Sequence, residues 1–338
     1  MFARPTRKIH FLALLFASFV LTTGCDSSGA NDDDDSVTVE GRATNDGGYS
    51  KSQASIEGAT VTAVRVNPDG GRHGLSGEAT TDAEGRFELN TDEAASKVLI
   101  VRAEKESFMS SALVYTEGRS SVKSMPMTTE SHAEADVYVE ARKQAKKGAT
   151  TVADVAAHVD ADVAAEIAAE KTTAAKVAAA VRASADAEAE YIEDEASDAD
   201  KDEAREQKRE AFFTLQVELA ASSDASARTE AIEKLEAHLA SAYMEAGASA
   251  EAQARASLAA RSALVQMSGD VSSKARLALR KRAEVIAALA TTHAVGAEFK
   301  AKGAAQTEID ALAAARAALL IRLRAASSES EINAAHAT

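Results

Sequence analysis

The chain has 338 residues, of which 46% are apolar but only 4% aromatic, and it contains no Trp. Its apolar residues are therefore mostly Ala with some Val and Leu, and such a core buries little area per side chain, at roughly 0.8 kcal/mol per methylene. The formal net charge of -15 at pH 7 repels a phosphate backbone, which disfavours nucleic-acid binding as a general function.

Residues 1–24 have the three-part order of a secretory signal peptide. A basic start is followed by an apolar run over residues 11–21 and then by small residues. The basic residues are Arg4, Arg7 and Lys8. An apolar run of about 11 residues is too short for a transmembrane helix, which needs about 20. We therefore expect residues 1–24 to be removed and no membrane span to remain there.

Cys25 is the only cysteine, so a disulfide within the chain is excluded. Gly24 and Cys25 at the end of the apolar run resemble the lipobox of bacterial lipoproteins, although Thr22 stands where that family usually has Leu. The resemblance implies that Cys25 is the lipid attachment site and that the membrane, reached through palmitate or similar acyl chains, is a partner. Two or more such chains give stable anchoring. The alternative is an ordinary signal peptide in which Cys25 has no role.

Residues 25–36 are rich in Asp, Ser, Gly and Asn, and we expect a disordered acidic tether because such a segment cannot bury enough surface to fold. The run Asp32–Asp35 is better explained as a solvated spacer than as a calcium site, since consecutive side chains do not converge on an ion. Asp26 resembles an inner-membrane retention signal, whereas the acidic tract resembles a surface-export signal. We expect the bacterial cell envelope, with the outer membrane or cell surface favoured over the inner membrane.

From Val37 onward, short runs rich in β-branched residues alternate in polarity, which predicts strands. The predicted strands are 37–43, 59–66, 86–89, 97–103, 111–115 and 121–127. Turn residues separate them, including 67–71, which can close a hairpin. Several strands with no helix between them predict an antiparallel β-sandwich over residues 37–127.

The stretch TTDAEGRFEL, residues 80–89, is the most specific part of this region. Asp82 and Gly85 suit the first and fourth positions of a type I turn, and Phe87 and Leu89 share the inward face of the next strand. With GATVTAV (58–64) and VTVEGRA (37–43), this stretch resembles the carboxypeptidase regulatory-like domain, a transthyretin-like, Ig-like β-sandwich. The resemblance implies a spacer, folding aid or binding scaffold and no activity, and the zinc peptidase pair H-x-x-E does not occur in the chain.

Residues 128–338 contain no proline and are dominated by Ala and charged residues, which predicts a helical domain. Thr150 or Thr151 is expected to cap one helix and Asp224 another, and Ser249 is expected to belong to the helix after that. Apolar positions at helical spacing are Val152, Val155, Val159, Val163 and Ile167 in one stripe; Ile232, Leu235, Leu239 and Ala242; Leu258 and Leu264; Leu277, Leu279, Ile286 and Leu289; and Ile309, Leu312, Leu319 and Leu323. Breaks at Gly247, Gly269 and Gly303 favour short helices that fold back into a bundle or array over a coiled coil with an outside partner.

The chain contains no P-loop and no dinucleotide fingerprint, and GLSGE at 74–78 lacks the spacing of a nucleophile elbow. His132 and Glu134 resemble a fragment of a zinc deaminase without its cysteine pair. We expect His158 and His238 to be surface or edge residues. No catalytic residue, metal site or cofactor is predicted.

An EF-hand is also rejected. Asp198, Asp200 and Asp202 copy its first ligands, but Glu203 stands where the loop needs Gly, and Arg209 stands where it needs Glu. The acidic stretch 190–206 is better explained as a solvated helix or linker.

The sequence therefore predicts a noncatalytic, lipid-anchored envelope protein that is structural or binds a partner, with the sandwich as spacer or scaffold. The partner would be an envelope protein or a glycan. The alternative is a carbohydrate- or peptide-binding accessory lipoprotein that uses the sandwich loops. That alternative needs exposed aromatic rings, and Tyr49, Tyr115 and Phe108 are the candidates near this region. An enzyme with a site assembled from dispersed acids is the third hypothesis.

Overall fold

The computed structural model describes residues 36–337 except 46–47, 50–53, 68, 93–96, 117, 144–149, 194–195 and 223. The predicted signal peptide, Cys25 and all of the predicted tether except Ser36 lie outside the described residues. The described chain begins with strands in two sheets and continues with helices.

Eight strands form the amino-terminal region: β1 Val37–Arg42, β2 Thr60–Val66, β3 Arg72–Gly74, β4 Ala79–Thr80, β5 Arg86–Thr91, β6 Val98–Lys105, β7 Phe108–Tyr115 and β8 Ser121–Lys123. One sheet has the order β5-β1-β8, and the other has the order β3-β2-β6-β7 with β4 also paired to β2. All six predicted strands are present, although the last one ends at Lys123 and continues only as an isolated bridge at Met127. The short strands β3 and β4 were not predicted.

The turn before β5 has the predicted chemistry. Asp82 Oδ1 accepts hydrogen bonds from the N–H groups of Glu84 at 3.0 Å and Arg86 at 2.7 Å. Gly85 has φ of 75°, which is strained for any residue with a Cβ, and a Cβ there would lie 2.5 Å from the Ala43 carbonyl oxygen. The turn then directs Phe87 and Leu89 into the core, as expected.

The expectation of purely antiparallel pairing is wrong for one strand pair. β1 and β8 run parallel, with Val39 opposite Val122. The five strands of the other sheet lie between these two strands along the chain, so a long crossover sets the direction of β8. A hairpin, which would force antiparallel pairing, does not connect them.

The central strand β6 and the edge strand β7 of the five-stranded sheet are covered on both faces, whereas β3 is exposed. Leu99 and Val101 on β6 pack in a cluster with Val39 and Leu89 of the three-stranded sheet. Ile100, from the opposite face of β6, packs with the helices. This double burial explains the nearly continuous apolar runs of β6 and β7, because a strand that faces solvent on one side alternates in polarity.

The helices are α1 Thr129–Lys143, α2 Val152–His158, α3 Ala161–Ala168, α4 Ala174–Ile192, α5 Asp198–Ala221, α6 Ala225–Leu239, α7 Ala242–Glu245, α8 Ala250–Met267, α9 Ser273–Ala301, α10 Gln306–Ala325 and α11 Glu329–His336. Asp224 caps α6 as predicted, and Ser249, which the sequence places in the next helix, is the N-cap of α8. A 3-10 turn at Ser268–Asp270 and a left-handed Gly303 separate α8 from α9 and α9 from α10. The helices α1, α4 and α11 were not delimited in the sequence, and Ala242, predicted to continue the stripe of α6, lies in the separate short helix α7.

The valine stripe predicted as one helix is two helices. Thr151 caps α2, but the chain becomes extended at Val159, and Asp160 starts α3 by accepting hydrogen bonds from the N–H groups of Asp162 and Val163 at 3.0 Å each. Asp is among the best N-cap residues, so its side chain competes with helix continuation at this point.

The helices pack on each other and on the sheet. One hydrophobic cluster contains Leu113 and Tyr115 of β7, Val137 of α1, Leu215 of α5 and Leu279 of α9. Residues Asp35–Thr338 form one compact unit. The strands and helices therefore share a core that extends through both regions.

Candidate functional site

Lys208 on α5 lies at the centre of a buried polar cluster. Its side chain is 3% exposed, and Nζ donates hydrogen bonds to Glu188 Oε2 at 2.5 Å and to Asp154 Oδ1 at 3.1 Å. Nζ also lies 5.2 Å from the centroid of the Tyr243 ring. We call Asp154, Glu188, Lys208, Tyr243 and Gln253 the Lys208 cluster. A charge so well enclosed must be compensated in place, and two carboxylates compensate it.

Backbone and amide groups hold the two acids of this cluster. Asp154 Oδ2 accepts from the N–H of Thr151 at 2.7 Å and from its hydroxyl at 2.8 Å, which forms the capping box of α2. Gln253 Nε2 donates to Glu188 Oε1 at 3.4 Å, while Gln253 Oε1 accepts from the N–H of Tyr243 at 2.8 Å. The cluster therefore joins α2, α4, α5, α7 and α8.

The electrostatics of the cluster keep Lys208 charged. Burial opposes its charge, but Asp154 and Glu188 outweigh burial and raise the pKa of Lys208 above its ordinary value. Burial raises the pKa of Glu188; Lys208 opposes this shift, and Asp154 adds to it. Burial lowers the pKa of His158, whose Nδ1–H donates to the Asp154 carbonyl oxygen at 2.7 Å, and thereby favours the neutral ring.

The space beside the Lys208 cluster is small. The cavity there has a volume of about 30 Å³ and is lined by Asp154, His158, Glu188, Lys208 and Ser257, among others. That volume fits a water molecule, whereas pockets for small organic ligands usually start at about 300 Å³. The arrangement therefore suits structural pairing and leaves no room for a substrate beside the charged groups.

A second buried cluster is built around Glu236 on α6, which is essentially inaccessible. Arg282 Nη1 donates to Glu236 Oε1 at 2.6 Å, and Arg324 Nη2 donates to Glu236 Oε2 at 2.8 Å. Asp160 Oδ2 lies 3.7 Å from Arg282 Nε. These two hydrogen bonds and the ion pair connect α6, α9, α10 and the N-cap of α3, and a neighbouring cavity has a volume of about 200 Å³.

Tyr49 and Tyr115 are buried, so neither ring can stack on a carbohydrate. The Tyr49 hydroxyl donates to Glu134 Oε2 at 2.8 Å, and the Tyr49 N–H donates to Glu130 Oε2 at 2.9 Å. Burial and the charge of Glu130 raise the pKa of Glu134 well above its ordinary value. Phe108 is half-buried against the core between the sheets. The aromatic side chains that a carbohydrate site would need are thus mostly engaged in packing.

An open cleft lies at the three-stranded sheet, with a volume of about 710 Å³. We call it the sheet cleft. Its lining includes Glu40 and Arg42 of β1, Arg86 and Glu88 of β5, Lys123 of β8, and Ala220, Ala221, Ser222 and Arg228 near the α5–α6 connection. This volume is within the usual range for ligand sites.

The charges of the sheet cleft are arranged in rows of like sign. The strand register places Glu40 opposite Glu88 and Arg42 opposite Arg86. Like charges directly opposite each other on neighbouring strands are destabilising, so the sequence tolerates a cost here. Lys123 on β8 lies opposite Glu40 on the side of β1 away from β5, so its charge offsets only the acidic row of Glu40 and Glu88. Departures of this kind from local rules are expected at functional surfaces.

The motif residues considered in the sequence do not converge on a reactive site. His132 Nδ1 bonds to Ser111 Oγ at 2.8 Å, whereas Glu134 of the same fragment faces Tyr49. The expectation of a surface position is wrong for His158, which is buried because the short helix α2 is enclosed on all sides, whereas His238 is exposed as expected.

The three aspartates of the rejected EF-hand have local roles at the start of α5. Asp200 accepts from the N–H of Ser197 at 3.0 Å in a capping box, Asp198 pairs with Lys201, and Asp202 pairs with Arg205. Across the described part of the chain, no three His, Cys, Asp or Glu side chains come together as metal ligands. None of the helices that the structure describes is both long and apolar enough to cross a bilayer.

Sequence reasoning missed the buried charges. The pattern Thr151-x-x-Asp154 is a capping box that could have placed Asp154 at the start of α2. No comparable signal marks the buried charges Lys208, Glu188, Glu236 and Arg282. Each lies in an Ala-rich, highly charged helix, where an exposed charged residue would have the same sequence context.

No family model, curated protein or solved structure matches this chain.

Proposed function

We propose that this chain is a noncatalytic, lipid-anchored protein of the bacterial cell envelope. The observation that carries the proposal is the lipobox-like Gly24-Cys25 directly after a short apolar run and before an acidic tether. The membrane is then a partner through acyl chains on Cys25, and the outer membrane or cell surface is the proposed location. Attachment of at least two chains makes such anchoring stable.

The amino-terminal region is proposed to be a transthyretin-like sandwich that acts as a scaffold. Two sheets share one hydrophobic cluster, and Asp82, in the stretch that carries the resemblance, accepts hydrogen bonds from two backbone N–H groups of its turn. The noncatalytic part of the proposal is supported by the Lys208 and Glu236 clusters, in which the buried charges are paired with one another across helices.

The anchor is tested by the variant Cys25→Ser, expressed beside a Ser28→Ala control. We expect Cys25→Ser to lose metabolic labelling with an alkyne palmitate analogue and to leave the membrane fraction, because the thiol that carries the lipid is gone. Ser28→Ala should keep both. Unchanged labelling and fractionation of Cys25→Ser would contradict the proposal.

For the partner, the sheet cleft favours an extended peptide segment of an envelope protein over a glycan. The basic row, formed by Arg42 and Arg86, lies beside the acidic row, formed by Glu40 and Glu88. A peptide segment with an acidic and a basic side chain two residues apart would therefore neutralise the charge of both rows. A strand-like peptide has this spacing because alternate side chains point to the same face.

The cleft is tested by photocrosslinking from position 123 in intact cells, with and without Glu88→Lys. We expect Glu88→Lys to abolish the crosslink while raising stability by about 0.2–1 kcal/mol, since it removes one pair of like charges. Glu78→Lys, which makes the same change at an exposed residue outside the cleft lining, should leave both unchanged. A crosslink that survives Glu88→Lys would exclude the cleft as the peptide site.

A further inference from the structure

Helix α10 has one side covered and the other open. The covered side contacts α9 and α11 and carries the buried Leu320 and Leu323, with Leu312 and Leu319 half-buried. On the open side a row of small or apolar residues is exposed; its members are Thr307, Ala311, Ala314, Ala318, Ile321 and Ala325. Ile321, at 68%, has the highest exposed fraction among the large apolar side chains of the described residues.

The spacing of this row is the spacing of a coiled-coil seam. Successive members are separated alternately by four and three residues, so they form one straight stripe when two helices wrap around each other. The covered residues fall on the opposite side of the same helix. Alanine at most seam positions lets two backbones approach closely, and Ile321 supplies a large side chain to fill the space over a small one.

The charges that flank the seam define the orientation of a second helix. Glu308 lies in the first turn of α10 and Arg322 in the last turn, and both are exposed. A parallel pair of identical helices would place like charges together at each end. An antiparallel pair centred at Arg316 instead places the acidic end of each copy beside the basic end of the other.

The same antiparallel register also places the large side chain of the seam over a small one. A two-fold axis at the level of Arg316 relates the two helices, so residues at equal distances before and after position 316 face each other. Ile321 then lies over Ala311 of the second copy, and Ala314 lies beside Ala318 of the second copy. One register therefore satisfies both the charge pattern and the large-on-small packing. A self-complementary surface of this kind is what an isologous two-fold interface requires.

We propose that two copies of this chain associate through the open side of α10 as an antiparallel helix pair. The helix has 20 residues and is about 30 Å long, so the contact is at the small end of protein interfaces and the dimer is a weak one. The proposal uses neither Cys25 nor the sheet cleft and is independent of the function proposed above.

The first test is sedimentation velocity of the purified full chain over a wide range of protein concentrations. The parent protein should show concentration-dependent dimers. Ala314→Asp should weaken dimerisation more than tenfold, because each dimer would bury two unpaired carboxylates. The matched control is Ala313→Asp, the same change at the neighbouring exposed residue outside the seam, which should leave the dimer unchanged. Circular dichroism checks that both variants keep the parent helix content.

The second test is a charge exchange. Arg322→Glu alone should weaken the dimer, because it places two acidic groups together, and Glu308→Arg in the same chain should restore it. Loss of the Glu308 bond to the Ala305 N–H cannot produce this rescue, since it would only weaken the helix start further. A parent chain that stays monomeric, equal effects of Ala313→Asp and Ala314→Asp, or failure of the double variant to recover would each overturn the proposal.

Discussion

Replacing Lys208 by Met tests whether buried ion pairing holds the helices together. Met keeps a similar length but removes the cation, so Asp154 and Glu188 are left buried beside each other. Lys208 and both acids have side chains that are less than 10% exposed, so solvent screens the loss very little. Breaking a buried pair in this way costs about 3–5 kcal/mol, a large part of the 5–15 kcal/mol that stabilises a typical protein.

The measurement is the free energy of unfolding from urea titrations followed by circular dichroism, extrapolated to zero denaturant. The control Lys176→Met removes an exposed lysine from α4 and should change stability by less than about 0.5 kcal/mol. A loss below about 1 kcal/mol for Lys208→Met would refute the reasoning, because it would mean that the acids find compensation elsewhere.

The double variant Lys208→Met/Glu188→Met separates pairing from packing. It should be more stable than Lys208→Met alone, because the remaining Asp154 keeps its two bonds from Thr151 at 2.7 and 2.8 Å. The two substitutions should therefore be strongly non-additive. Simple addition of the single effects would show that the contacts to Lys208 are not energetically coupled.

Three further predictions follow from the core. Burial and Glu130 raise the pKa of Glu134 above its ordinary 4.5, so the stability it contributes when protonated is lost as pH rises through the raised value. Glu134→Gln should therefore gain stability relative to the parent with rising pH, by at most about 1.4 kcal/mol per pH unit in urea titrations; a pH-independent difference would contradict this. Gly85→Ala should lower the free energy of unfolding by more than about 1–2 kcal/mol, because Gly85 has a left-handed backbone and lies close to the Ala43 carbonyl oxygen. The control Gly74→Ala, where a Cβ would have open space around it, should lower the free energy of unfolding far less in the same assay. Leu113→Ala should cost about 2–5 kcal/mol and lower the thermal midpoint of the helical signal, since this strand residue packs against the helices; an unchanged midpoint would show that the strands and helices unfold independently.

Local features of the fold were predictable because local chemistry determines them. The Asp82–Gly85 turn, the caps at Thr151 and Asp224, and the break at Gly303 each depend on a few adjacent residues and on simple backbone preferences. The Asp160 cap was missed because the valine periodicity continues across it, and a periodicity argument ignores a single capping residue.

Pairing between distant segments could not be predicted in the same way. The parallel β1–β8 pair depends on where the chain returns after five other strands of a second sheet. The like-charge rows of the sheet cleft appear only when β1 and β5 are brought into register. Neither feature leaves a mark on the sequence of a single strand.

By itself, the sequence predicted six of the strands, the helical character of residues 128–338 and an anchor at Cys25, since signal-peptide order, β-branched alternation and alanine content are properties of short windows. Only the tertiary structure decided that β6 and β7 are buried on both faces, that Tyr49 and Tyr115 are core residues, and that Lys208 is an interior cation. The physical reason is that burial depends on which surfaces meet, and in an alanine-rich chain with many charges, exposed and buried helix faces have nearly the same composition.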